Sequence, residues 1–116
     1  MKKLILLFVI IITIYQLNGQ ENQEVNELLE SGIQKVFDDK FDEALVDFNL
    51  ALEKDLKGLI KHKVYFERAQ LKRRYLKDFN GALKDYNSSI KLNPNYVRAY
   101  LYRGLIYQRN FRNLKT

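Results

Sequence analysis

Small and apolar residues recur along the chain at a nearly fixed interval, with a helical spacing inside each interval. Gly32 is followed after 12 residues by Ala44, and Ala69 is followed after 13 residues by Ala82. Gly104 stands 35 residues after Ala69, so a third unit begins there. A unit this short cannot bury its own apolar face, and neighbouring units must therefore stack. The pattern predicts a short helical solenoid.

Each unit is predicted to hold two amphipathic helices, because its apolar residues lie three or four positions apart. The predicted helices cover about residues 24–37, 41–55, 61–76 and 80–92, and another begins near residue 95. Asn93 is expected to end the fourth helix, since the following Pro94 disfavours helical geometry in the residue before it.

The repeating motifs resemble those of the tetratricopeptide repeat family, whose period is about 34 residues. The resemblance rests on three stretches: Arg68-Ala69 with Arg103-Gly104, residues 79–86, and residues 90–96 with Ala99 and Tyr100. It implies an all-α, right-handed α-solenoid of antiparallel helix pairs with about two and a half repeats. The repeats would occupy residues 25–58 and 62–95, with an incomplete one at 97–116.

The sequence departs from the family pattern in three places. Extra residues surround Gly58 between the first two units, one additional residue precedes Ala82, and Ser89 replaces an alanine. Loops tolerate insertions and serine is close to alanine in size, so the fold prediction stands.

The first 20 residues differ in kind from the rest. Two lysines precede an apolar run from Leu4 to Tyr15, and polar residues follow it. This layout predicts a secretory signal peptide at residues 1–20, cleaved after Gly19 or Gln20, with the repeat domain at 21–116. The alternative is an uncleaved membrane anchor, but a spanning helix needs about 20 apolar residues. We expect a periplasmic or secreted protein with no integral membrane span after cleavage.

Composition adds two constraints. The chain has no cysteine, which excludes disulfides, thiolate chemistry and a lipid on an N-terminal cysteine. Residues 20–56 carry 3 Lys and Arg against 11 Asp and Glu, a net charge of −8, whereas residues 57–116 carry 15 against 3, a net charge of +12. The sequence therefore predicts a molecule with an acidic end and a basic end.

No catalytic or metal site is predicted. The single histidine, His62, has no acidic residue closer in the following sequence than Glu67, so it is interpreted as a surface residue. The carboxylates around Asp39 lack the glycine that a calcium loop requires. The serines have no base placed to activate them. We expect no enzyme activity, no cofactor and no nucleic-acid partner.

The most specific functional expectation comes from the resemblance, because in that family the first helix of each pair lines a concave groove. The matching positions here are Lys63, Phe66, Gln70, Arg73, Arg74, Arg98, Leu101, Leu105, Gln108 and Arg109. This lining is basic and amphipathic, and it suits an acidic extended peptide. Some family members bind chaperone C-termini through a basic clamp, at whose positions this chain has Leu29, Ile33, Glu67, Arg98 and Tyr102, so that function is not expected.

Two hypotheses about function remain open at this stage. The first is a non-catalytic protein–protein interaction module that docks a partner segment, with an acidic partner expected. The alternative is a structural or self-assembling repeat fragment of a longer exported protein, without its own ligand. Apolar residues on several faces of the last helix, such as Leu101 and Tyr107, also predict self-association through that helix.

Overall fold

Residues 1–115, which the computed structural model describes, form helices joined by short connections, and they include no strand. The elements in order are α1 (Lys2–Phe37), α2 (Phe41–Lys54), α3 (Lys61–Leu71), a π-helical turn (Lys72–Leu76), α4 (Phe79–Leu92) and α5 (Val97–Lys115). Connections of two to six residues join them. Short connections return each helix alongside the one before it, and the predicted all-α repeat solenoid is confirmed.

Two apolar cores follow one another along the solenoid, and α3 contributes to both. The first core contains Val25, Leu29, Ala44, Phe48, Ala51, Val64 and Leu71. The second core contains Phe66, Ala69, Ala82, Tyr86, Ala99 and Ile106. The small residues that define the sequence repeat are fully buried at Ala44, Ala69 and Ala82, where helices approach most closely. Successive faces of α3 thus join the two helix pairs into one body.

A buried carboxylate links the two helices of the first pair. Asp47 on α2 accepts a hydrogen bond from the Ser31 hydroxyl at 2.6 Å and pairs with the Lys35 ammonium at 2.8 Å. Burial raises the pKa of Asp47, but the hydrogen bonds from Lys35 and Ser31 and the Lys35 charge outweigh it and leave the pKa below its ordinary value. The ionised form is therefore favoured by folding.

The second helix pair repeats this arrangement, with an arginine and a lysine bound to the carboxylate. Asp85 occupies the position in α4 that Asp47 occupies in α2. Each aspartate follows the buried alanine of its helix, Ala82 or Ala44, by three residues. The Arg68 guanidinium donates to both Asp85 oxygens at 2.7 and 2.8 Å, and Lys72 lies 3.0 Å from the same carboxylate. Arg68 also donates to Asn49 on α2 at 2.7 Å, so one side chain ties the two pairs together.

The third predicted helix changes character at its end. Residues 61–76 were expected to form one α-helix, but the α-helical part stops at Leu71 and the last five residues form the π-helical turn. From Gly32 to the start of α2 there are nine positions, and from Ala69 to the start of α4 there are ten. A π-helical turn is the usual result of one inserted residue. The additional residue noted in the sequence is accommodated here.

The first helix of each pair therefore ends differently. In the first pair, Asp39 adopts a left-handed conformation with φ 59° and the Lys40 amide donates to the Lys35 carbonyl at 2.8 Å, which is a Schellman ending. In the second pair, Lys77 is left-handed with φ 56° and the Asp78 amide reaches back to the Lys72 carbonyl at 2.9 Å. The second ending therefore closes a wider backbone loop than the first.

The N-terminal segment continues directly into the first repeat helix. α1 is one uninterrupted helix of 36 residues, its first buried residue is Val25, and the apolar side chains between Leu4 and Leu17 are exposed. This helix is long and apolar enough to cross a membrane, a property that signal sequences share. The length of the apolar run therefore does not separate a signal peptide from a membrane anchor.

The Ser89 departure from the family pattern has a local explanation. Its side chain is fully buried, and its hydroxyl donates to the His62 carbonyl on α3 at 2.8 Å. The polar atom is satisfied, so the serine occupies an alanine position without a buried unpaired group.

Candidate partner-binding surface

A concave pocket of about 290 Å³ lies where α1, α3, the π-helical turn and α5 converge. One wall is apolar and comes from α1, with Ile33, Val36 and Phe37. The opposite wall is polar and aromatic, with Glu67, Gln70, Arg74, Tyr75, Arg98 and Tyr102. We call this cavity the groove pocket. Its two walls can contact an apolar side chain and an anionic group at once.

Arg98 belongs to the polar wall and covers part of the second core. Its guanidinium carbon is 4.7 Å from the centre of the Phe66 ring, a cation–π arrangement. Phe66 itself is 0% exposed and packs edge-on against Tyr96 and beside Tyr86. The expectation that Phe66 supplies contact area in the groove is wrong, because its ring belongs to the core and Arg98 takes the surface position.

Glu67 gives the groove pocket a carboxylate that the predicted basic lining did not include. It lies half-buried on α3 and makes no hydrogen bond or ion pair with other residues in the part of the chain that is described. Burial raises the pKa of the Glu67 carboxyl, and the nearby Arg98 charge opposes that shift without cancelling it. The wall is therefore mixed in charge, since it contains Arg74 and Arg98 together with an acidic group.

A second depression, of about 390 Å³, adjoins the first. It is lined by Arg73, Arg74, Lys77, Phe79 and Arg109, and we call it the cation pocket. Three of its four cations were predicted partner-binding residues. Lys77 was missed, because its part in the pocket depends on the left-handed backbone after the π-helical turn, which the apolar period does not reveal.

The ten predicted residues thus separate into groups. Gln70, Arg74 and Arg98 meet in the groove pocket, and Arg73, Arg74 and Arg109 meet in the cation pocket. Lys63, Leu101, Leu105 and Gln108 are exposed and line neither cavity. The apolar wall formed by Ile33, Val36 and Phe37 comes from α1, outside the ten predicted residues.

His62 has a structural environment on α3. Its ring meets Tyr96 edge-on with centroids 5.1 Å apart. Burial lowers the pKa of His62, as does the neighbouring charge of Lys63, so the neutral ring is favoured. Within residues 1–115, no group of three or more His, Cys, Asp and Glu side chains is placed to hold a metal ion.

The fold and these surfaces define an all-helical repeat protein with a concave face. Residues 72–110, which comprise the π-helical turn, α4 and most of α5, match the family model described as TPR repeat. Over these residues the chain is similar to tetratricopeptide repeat proteins. No curated protein and no solved structure matches it. Tetratricopeptide repeats generally mediate protein–protein interaction, and the family is generally non-catalytic.

Proposed function

We propose that the groove pocket docks an extended, acidic segment of a protein partner. The observation that carries this proposal is the pairing of an apolar wall from α1 with Arg74 and Arg98 across one cavity. A segment with an apolar side chain next to a carboxylate would satisfy both walls. Arginine favours carboxylates because its planar donors can bind both oxygens.

Glu67 sharpens the expected specificity. A partner carboxylate placed against Glu67 would be repelled, so acidic groups are expected to bind Arg74 and Arg98 from the mouth of the cavity. A partner with carboxylates at every position would then bind less well than one that alternates acidic and apolar residues.

The proposal also includes export of the protein. The charged start, the apolar run and the exposure of the side chains before Asn18 support residues 1–20 as a signal peptide removed on export. The mature protein would begin at Gln20 or Glu21 and would be periplasmic or secreted. Intact-mass measurement of the protein produced in its source cells tests this, and recovery of the full 116-residue chain from membranes would indicate an anchor instead.

The groove proposal is tested by selecting peptides from a displayed random library on the full-length protein in a nonionic detergent. Enriched peptides should combine Asp or Glu with apolar residues. Their binding should weaken about tenfold or more in an Arg74→Gln/Arg98→Gln variant, since each charged hydrogen bond contributes about 1.5–3 kcal/mol. A Lys84→Gln/Lys91→Gln variant removes the same charge from exposed sites on α4 and should bind normally.

Two results would contradict the groove proposal. One is a set of enriched peptides without acidic residues. The other is equal binding to the Arg74→Gln/Arg98→Gln variant and the parent, provided that both unfold at the same temperature.

A further inference from the structure

The cation pocket concentrates positive charge without a matching carboxylate. Arg73, Arg74, Lys77 and Arg109 line one cavity, and among residues 1–115 no acidic side chain lines it. Asp78 is adjacent in sequence, but its carboxylate caps α4 by accepting the Gly81 amide at 2.9 Å. Like charges at this proximity repel, so the arrangement is costly unless an anion is present.

Neutral groups hold these cations in place. Arg73 donates to the Tyr86 hydroxyl and to Gln70, each at 3.2 Å. The Arg109 guanidinium carbon lies 3.9 Å from the centre of the Phe79 ring. Such contacts fix the side chains and leave their charge available.

Lys77 is fixed in a similar way, since its ammonium donates to the Arg74 carbonyl at 2.9 Å. Two nearby cations, Lys72 and Arg68, are instead paired with a carboxylate. Lys72, in the same π-helical turn, is paired with Asp85 at 3.0 Å, and Arg68 binds both oxygens of that carboxylate. The π-helical turn thus directs one basic residue to a buried partner and the next two to the open cavity.

Four cations around one cavity, three of them held by neutral groups, match a compact, doubly charged oxyanion. A phosphate group has negative oxygens on several sides and accepts charge-assisted hydrogen bonds from arginine and lysine together. A single carboxylate carries half the charge and has fewer oxygens. The pocket chemistry therefore favours a phosphate group.

Arg74 lines both the cation pocket and the groove pocket, so the two cavities adjoin at that residue. We propose that the cation pocket binds a phosphate group carried by the peptide segment that lies in the groove pocket. This inference rests on the proposed docking function for its source of phosphate. The pocket itself is tested without any peptide.

The first experiment titrates full-length protein in nonionic detergent with inorganic phosphate by calorimetry, with acetate at equal ionic strength as the comparison. Phosphate should bind one site and acetate should not. A Lys77→Gln/Arg109→Gln variant should weaken phosphate binding about tenfold or more, and Lys84→Gln/Lys91→Gln should leave it unchanged. Equal phosphate affinity in both variants and the parent, or no measurable binding, would overturn the proposal.

The second experiment identifies the source of the phosphate. A groove-selected peptide is synthesised with serine and with phosphoserine at successive positions beyond its acidic residue. At one position phosphoserine should bind about tenfold tighter than serine, and the difference should vanish in the Lys77→Gln/Arg109→Gln variant.

Phosphatidylcholine vesicles containing phosphatidylglycerol provide the competing source. If Lys77 and Arg109 govern vesicle binding but no phosphopeptide is preferred, the peptide source is wrong. Phosphate binding without any groove-selected peptide would instead remove the docking proposal and leave the anion site intact, so the two failures can be distinguished.

Discussion

Gly32 on α1 lies against the Phe48 ring on α2. A Cβ atom built on Gly32 would stand 2.6 Å from Cε1 of Phe48, closer than packed atoms tolerate. Gly104 has the equivalent repeat position on α5, yet nothing within the described chain lies within 4 Å of a Cβ built there. One glycine is required by its neighbour and the other is not.

This difference predicts opposite effects of the same substitution. Gly32→Ala should lower the free energy of unfolding by about 1–3 kcal/mol, because Phe48 must move. Gly104→Ala should raise it by about 0.5–1 kcal/mol, since alanine loses less backbone entropy within a helix. Urea unfolding followed by circular dichroism measures both, and equal effects would mean that the assigned helix contact is incorrect.

Asp47 makes stability depend on pH in the acid range. Its pKa is lowered in the folded state, so its contribution is present above the ordinary value of 3.8 and disappears as pH falls through the lower folded value. Asp47→Asn should cost about 1–3 kcal/mol at pH 7, because it loses the charged acceptor of Lys35. Below pH 4, the unfolding temperature of this variant should fall less steeply with pH than that of the parent. An equally steep fall would mean that other groups cause the acid sensitivity.

At this scale the sequence predicted the small contact residues and missed the buried carboxylates. The apolar period identifies where helices touch, as at Ala44 and Ala82. It does not evaluate a polar residue such as Asp47 or Glu67, whose environment is set by side chains from other helices. Phe66 shows the same limit, because Tyr86, Tyr96 and Arg98, which cover its ring, come from other parts of the chain.

The π-helical turn is the main feature at the scale of elements. The helix order and most boundaries follow from the 3.6-residue period, but that period assumes a regular helix and predicted an uninterrupted one through Leu76. The second repeat has one residue more than the first. Only the backbone shows where this residue is accommodated, since the helix widens to a π-helical turn at Lys72–Leu76.

If the π-helical turn accommodates one inserted residue, removing one residue there should be tolerated. Deleting Leu76, which is partly exposed at the end of the turn, should restore an α-helical ending and change the free energy of unfolding by no more than about 1 kcal/mol. Deleting Lys84 from the regular helix α4 displaces Asp85 and Tyr86 and should cost about 3 kcal/mol or more. Chemical unfolding of both deletion variants measures the two changes. Equal losses of unfolding free energy would mean that the π-helical turn does not accommodate the inserted residue.

At the scale of the whole molecule, the N-terminal segment and the repeats are separable in packing although they share α1. The side chains before Asn18 are exposed and both cores begin at or after Val25. Deleting residues 1–20 should therefore change the free energy of unfolding by less than about 0.5 kcal/mol.

A longer truncation provides the matched control. Deleting residues 1–30 also removes Val25 and Leu29 from the first core and should cost several times more, since each large apolar side chain contributes about 2–5 kcal/mol. Similar unfolding curves for the two truncations would place the start of the repeat domain further along the chain.

The outer side of α5 carries exposed apolar groups, with Leu101 59% and Tyr107 52% exposed. We predict concentration-dependent self-association of residues 21–116, in which the basic end of one copy meets the acidic end of another. Light scattering after size exclusion should show weaker association at high salt, where screening shortens to about 3 Å at 1 M. Leu101→Gln should reduce association further, whereas a monomer in both buffers at high concentration would exclude this contact.

The separation of charge also bears on how fast a partner arrives. Residues 20–56 are acidic and residues 57–116 are basic, and they follow one another along the solenoid. An approaching anionic chain is repelled by α1 and α2 and attracted toward α3, α4 and α5, where both pockets have their cations. Such a field orients the encounter before any contact forms and can raise association rates by about 10 to 1,000 times. The acidic half of the molecule, which supplies no cation to either pocket, would then act by repelling anionic partners that approach in the wrong orientation.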